Sequence, residues 1–254
     1  MKVTVLIPAR MAATRFPGKP LSKILGKPMI QWVYERSQRA NVDDVVVATD
    51  SLEIREAVLA FGGKCELTRD DHPNGTSRIA EVASNLATDI VINVQGDEPG
   101  IHPQVIDAVV EPFRSQPDLE MTTMAAVMEN HEDVFNPNIV KVVFNRKSRA
   151  LYFSRAPIPY GRHQGMNTPR FPAAPHLVHH RHIGIYGYRK PFLMRYAVEP
   201  PCALESIEGL EQLRALDMGA TIYVGITTHT AIGVDEPADL EKAASFLVNE
   251  GSVP

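Results

Sequence analysis

The chain has 254 residues, 44% hydrophobic and 22% charged, with a formal net charge of −4, the balance of an ordinary soluble globular protein. An acidic total argues against a general nucleic-acid binder, and two cysteines far apart argue against a disulfide framework or a structural zinc site. No window approaches the ~18 uninterrupted apolar residues of a membrane span, and the apolar opening breaks at Pro8, short of the ~7 residues of a signal h-region. A soluble, cytoplasmic protein is expected.

Short β-branched runs alternate with helix-like segments. "VTVLI" (3–7) reads as a buried strand, followed by a loop and a helix from Pro28 to about Ala40, with the proline in the first turn. "DVVVAT" (44–49) is a second strand. Asp50 with Glu53 forms a D-x-x-E signature that opens a helix ending at Gly62-Gly63. "KCEL" (64–67), a helix over 77–87 and the strand "DIVINV" (89–94) complete four strand-then-helix units. Continuous apolar strands in this alternation predict an α/β fold with a mostly parallel sheet covered by helices on both faces. After residue 115 strands dominate: 120–128, 139–144, 150–154, 182–189 and 221–226, with helices expected at 191–197, 203–217 and 237–248. The stretch 157–180, with five prolines, reads as a long excursion.

Charge is distributed unevenly. Residues 1–40 hold eight Lys/Arg and one acid, Glu35, which points to a focused anion site. Lys23, Lys27, Arg36 and Arg39 are expected to be solvated surface charges. Arg10, Arg15 and Lys19 lie within ten residues after the first strand, where an open α/β sheet binds its ligands. Small residues between the two arginines leave room for phosphates, and Gly18 and Gly75 allow close backbone approach. Neither a Walker A motif nor G-x-G-x-x-G is present.

Asp97 in "VQGDEP" ends a strongly apolar strand, and Asp235 sits in "GVDEPADL". Both could be helix caps, Asp97 before Pro103 and Asp235 before a helix at 237. The functional alternative is a carboxylate pair for Mg²⁺, which takes oxygen ligands and keeps waters and phosphates. His180 and His182 share a strand face, but no third residue at a credible spacing completes a zinc site. Arg155 ends a strand before two prolines and suits an anionic group. Glu211, Gln212 and Arg214 fall on one predicted helix and cannot all point one way, so part of this set is expected at the surface.

"IPAR…TRFPGKPL", "GKPMI", "VVVATD", "VINVQGDEP", "FNPNIVKVV", "ALYFSRAPIP", "HIGIYGYR", "LEQLRAL" and "GVDEPADL" follow one another along essentially the whole chain. In that order they resemble the motifs of the 3-deoxy-manno-octulosonate cytidylyltransferase family. The resemblance implies a single nucleotidyltransferase domain over 1–254, Rossmann-like, with a smaller β-rich part. Residues 1–115 would bind the nucleotide, about 120–225 would serve sugar binding and dimerisation, and 226–254 would return to the core. The implied reaction takes CTP and the eight-carbon acid sugar Kdo to CMP-Kdo and pyrophosphate with Mg²⁺, for lipopolysaccharide synthesis.

By position, the resemblance places Arg10, Arg15 and Lys19 at the triphosphate and Asn74, Gly75 and Arg78 at the cytidine. Asp97 and Asp235 would hold Mg²⁺ and act with Lys19 in catalysis, meeting the cations through a metal-bound triphosphate and not pairing with them directly. Gln95, Arg155, His182, Tyr186, Glu211 and Gln212 would face the sugar, and a homodimer is implied, with contacts near 155–180. One departure bears on base selectivity: where the family usually has G-T-E-R or G-T-D-R, this chain reads "NGTSR", with Ser77 at the acid's place. Rival expectations are a cytidylyltransferase for 8-amino-Kdo or a sialic-type acid, and an inactive nucleotide-binding regulator.

Overall fold

A computed structural model describes residues 1–12, 16–161, 179–229 and 232–251. In chain order the elements are β1 (Val3–Ala9), the short hairpin β2 (Lys23–Ile24) and β3 (Lys27–Pro28), α1 (Met29–Gln38), β4 (Asp44–Thr49) and α2 (Leu52–Ala60). Next come β5 (Cys65–Leu67), α3 (Gly75–Ser84), β6 (Ile90–Asn93), α4 (Pro103–Ser115), β7 (Met121–Val127), β8 (Lys141–Phe144) and β9 (Ala150–Ser154). The remainder holds β10 (His180–Arg189), α5 (Lys190–Tyr196), α6 (Ala203–Glu208), α7 (Gln212–Asp217), β11 (Ile222–Ile226) and α8 (Asp239–Asn249).

The main sheet runs β11-β7-β10-β6-β1-β4-β5, with the β8–β9 hairpin attached through β10. β5, β4, β1 and β6 are parallel, and β10 enters antiparallel between β6 and β7. Alternation along β1 explains why both faces are covered. Val3, Val5 and Ile7 pack under α1 and α4 with Ile30, Val33, Ile106 and Phe113, whereas Leu6 joins the opposite core with Ile79 and Ala83 of α3 and Leu213 of α7. α8 adds a third cluster, setting Ala243 and Leu247 against Met29 and Trp32.

Several local expectations change. Ser51, not Asp50, caps α2 by accepting from the Ile54 amide, because Asp50 is drawn to the buried guanidinium of Arg78 at 3.2 Å. α3 begins two residues early, at Gly75, since Asn74 Oδ1 takes the Ser77 amide at 2.8 Å. The helix expected over 203–217 is two helices, because Gly209 adopts φ +61 and closes α6 in the left-handed region. Arg36 is not a surface charge: it is 3% exposed and donates to the Ile101 carbonyl and the Glu250 carboxylate, each at 2.6 Å. α8 is capped in the reverse sense from expectation, with Asp239 accepting from the amides of Asp235 and Glu236. Asp235 keeps its carboxylate for another partner.

Candidate active site

β1 and β6 lie side by side, and the chain leaving their carboxyl ends builds one wall each of a cavity of about 430 Å³. From β1 come Arg10 and, after a loop closed by the Gly18 amide on the Met11 carbonyl, Lys19. From β6 come Gln95 and Asp97. Gly96 lets these two strand ends approach, because a Cβ there would lie 2.7 Å from the Pro8 carbonyl oxygen. Lys19 Nζ donates to Asp97 Oδ2 at 2.6 Å and to the Val234 carbonyl at 2.9 Å, with Asp235 Oδ1 at 3.9 Å. The lysine therefore pairs directly with Asp97, against the expectation that cations and acids meet only through a ligand. Arg15 lies outside the described residues.

α3 supplies the opposite wall. Gly75, its first residue, borders the cavity, and a helix N-terminus presents unpaired amides to an anion. Arg78 also lines it, though its guanidinium is held by Asp50 and the Thr68 hydroxyl. Asn74 is there as the helix cap. A residue the sequence reading missed, His72, completes this wall: its Nδ1 contacts Ser77 Oγ at 3.1 Å, and its Nε2 pairs with Glu81. Ser77 thus touches a histidine whose acid partner sits one helical turn further on.

A second cavity, about 410 Å³, opens beside the first and shares Gly75 and Gln95 with it. His182 and Tyr186 reach it from β10, Glu211 and Gln212 from the start of α7, and Arg181 and Asn138, both unforeseen, from its rim. Gln212 is 3% exposed and its Nε2 has no hydrogen-bond partner among the described residues, which leaves a buried donor available to a ligand. Burial raises the Glu211 carboxyl above its ordinary range, while Thr76 and Arg214 oppose that rise. Burial pushes His182 down to about 3, so the ring is neutral. Arg214 is not at the surface either: it is buried over the Tyr196 ring and bonded to Glu211.

Arg155 stands apart. Its guanidinium is committed to the carbonyls of Pro137, Glu208 and Gly209, behind the second cavity's wall. Glu98, next to Asp97, was also unforeseen. Its buried Oε2 lacks a partner among the described residues, and burial, then the Asp97 charge, push its carboxyl up to about 7. An acid pair closing an apolar strand was the available signal.

The first cavity, with Lys19 between Asp97 and Asp235 at the carboxyl ends of the parallel strands β1 and β6, adjoins the second at the first turn of α3, and such a crevice is where α/β folds bind their ligands. The cytidylyltransferase family model matches residues 4–222. Two relatives, from Geobacter sulfurreducens and Pelobacter propionicus, are each 50% identical and are named 3-deoxy-manno-octulosonate cytidylyltransferase. The alignments cover 97% of this chain and 100% of the first relative, and 96% of both chains for the second. A solved structure described as CMP:2-keto-3-deoxy-manno-octonic acid synthetase complexed with CTP superposes with a TM-score of 0.90 at 41% identity, covering 98% of this chain and all of that one. The chain belongs to the cytidylyltransferase family and is a nucleotidyltransferase.

Proposed function

We propose that this protein transfers CMP from CTP to the anomeric hydroxyl of 3-deoxy-D-manno-octulosonate, releasing pyrophosphate, in the cytoplasmic supply of activated sugar for lipopolysaccharide. One observation carries the reading: the two cavities share a wall at Gly75 and Gln95, so ligands filling both would meet end to end there. The relatives' names supply the substrates.

Both reactants are anionic, so the barrier is largely repulsion and alignment. The α3 N-terminus and Arg10 would hold phosphate oxygens. Lys19, only 13% exposed at its side chain, would exchange its carboxylate partner for oxygen at the α-phosphate, where negative charge grows in the transition state. Asp97 and Asp235 fit Mg²⁺: both reach toward the same point, Lys19 Nζ, and two hard carboxylates leave remaining positions to water and phosphate. When bound, Mg²⁺ supplies charge neutralisation between triphosphate and attacking hydroxyl. In the second cavity, His182, Glu211 and Gln212 would orient the sugar hydroxyls, with Arg181 the cation available to its carboxylate.

We also propose a homodimer. β9 pairs only with β8 among the described strands, and Leu151 on it and Ile207 on α6 are 60% and 81% exposed. The test of function is pyrophosphate release with each of four nucleoside triphosphates against Kdo, 8-amino-Kdo and N-acetylneuraminate. CTP with Kdo is expected to be fastest. Preference for another sugar overturns the sugar assignment, and no release with any pair overturns the transferase reading.

A further inference from the structure

Lys141 is a lysine with no exposed surface at all, and no carboxylate forms an ion pair with it among the described residues. Its three ammonium protons are each used by a carbonyl: Asn136 at 3.0 Å, Ile139 at 2.7 Å, and Arg155. Burial lowers its pKa, and the nearby Glu208 charge works the other way. Arg155 extends the same network. Nε donates to the Glu208 carbonyl at 2.7 Å, Nη1 to Pro137 at 2.9 Å and Nη2 to Gly209 at 3.4 Å. The Glu208 carboxylate closes it by accepting from Ser154 Oγ at 2.6 Å and from the Arg155 amide at 2.9 Å.

These bonds fasten two stretches of chain that are far apart in sequence, 136–140 and 208–212. Both line the second cavity, through Asn138, Ile139 and Val140 on one side and Gly209 to Gln212 on the other. Neither Lys141 nor Arg155 lines it. A buried cation is a poor device for stability alone, since apolar replacement of buried charges is often neutral or favourable. What this one does well is to fix where carbonyl oxygens sit, and so where the backbone runs.

We propose that Lys141 and Arg155 are positioning residues for the sugar cavity: together they set the separation of 136–140 and 208–212 and thereby the affinity for the acid sugar, without touching it. The identity of that ligand rests on the function proposed above; the mechanical claim does not. Arg155, which the sequence suggests as an anion contact, serves instead as the tie between the two stretches.

The test uses Lys141→Met and Arg155→Gln in the full-length protein. KM for Kdo should rise about ten- to a hundredfold, while KM for CTP and kcat at saturating sugar stay within about twofold. Amide hydrogen exchange at 138–140 and 208–212 should quicken in both variants with no substrate present. Arg155→Lys, able to reach only part of the carbonyl set, should fall between wild type and Arg155→Gln. A purely structural role would lower the melting temperature without separating the two KM values, and that result overturns the proposal. Equal losses toward both substrates, or unchanged exchange, overturn it as well. If Lys141→Met does not fold, Arg155→Gln decides alone. If the wild-type protein uses no acid sugar, the functional reading fails, and the exchange rates still judge the positioning claim.

Discussion

The Thr123 hydroxyl has one proton and donates it to the Ile185 carbonyl at 2.8 Å, so its oxygen is left to accept from Nε2 of His182, also at 2.8 Å. His182 is thereby a neutral Nε2–H tautomer, which makes Nδ1 the acceptor nitrogen of the ring. Its folded pKa of about 3 lies below the free value of 6.5. The folded state binds fewer protons than the unfolded chain between those values, so stability is full above pH 6.5 and is lost as pH falls toward 3. The loss amounts to at most about 1.4 kcal/mol per pH unit. His182→Gln keeps a donor toward Thr123 and removes the titration. Urea midpoints taken from pH 7.5 down to 5 should therefore fall less in the variant than in wild type; parallel curves would refute the assignment.

A second residue-level prediction concerns Asp97. Asp97→Asn keeps the shape beside Lys19 but removes the charge, so the circular dichroism spectrum should be unchanged while turnover drops by roughly a hundredfold or more. Near-normal turnover at ordinary Mg²⁺ would remove Asp97 from the metal role. Asp97 was visible in the sequence because an acid at the end of an apolar run is out of place there, and Lys19 because three cations fall within ten residues after the first strand. Arg155 and Arg36 were misread because a charged residue looks the same in sequence whether water or a carbonyl satisfies it. Only packing reveals that Arg36 is held by Ile101 and Glu250.

At the scale of elements, strands announced themselves and helix ends did not. β4, expected over 44–49, runs Asp44–Thr49, since a continuous apolar run has little freedom where to stop. The start of α3 depends on Asn74, which caps the helix and which in the sequence stands only as a nucleotide contact implied by the resemblance. The break between α6 and α7 depended on one glycine inside a stretch of otherwise good helix formers. Gly209→Ala tests its meaning. Its Cβ would meet nothing closer than Arg155 Nη2 at 3.9 Å, so the cost is backbone strain alone, about 1–2 kcal/mol. The melting temperature should fall by roughly 2–8 °C, and the sugar KM should rise because Gly209 to Gln212 form the cavity wall. An unchanged melting temperature would show that the left-handed turn is not required.

For the whole molecule, the parallel half of the sheet was legible because each strand–helix unit is local in sequence and its right-handed crossover leaves few arrangements. The placement of β10 was not. It lies antiparallel between β6 and β7, pairing with strands roughly 50 to 100 residues earlier, and no local signal specifies such a partner. That insertion is what brings His182 and Tyr186 beside Gln95 and makes two cavities adjoin. The same topology leaves the β8–β9 hairpin at the margin, with β9 pairing only with β8 among the described strands and Leu151 exposed. An open edge bearing large apolar side chains invites another chain, and in the homodimer proposed above a second copy would cover Leu151 and Ile207. Light scattering on the purified protein should give twice the chain mass at micromolar concentration. Leu151→Glu, which places a charge in that contact while leaving both cavities intact, should shift it to the chain mass and retain CTP binding. A wild-type monomer, or a variant that stays dimeric, would place the self-contact elsewhere or remove it.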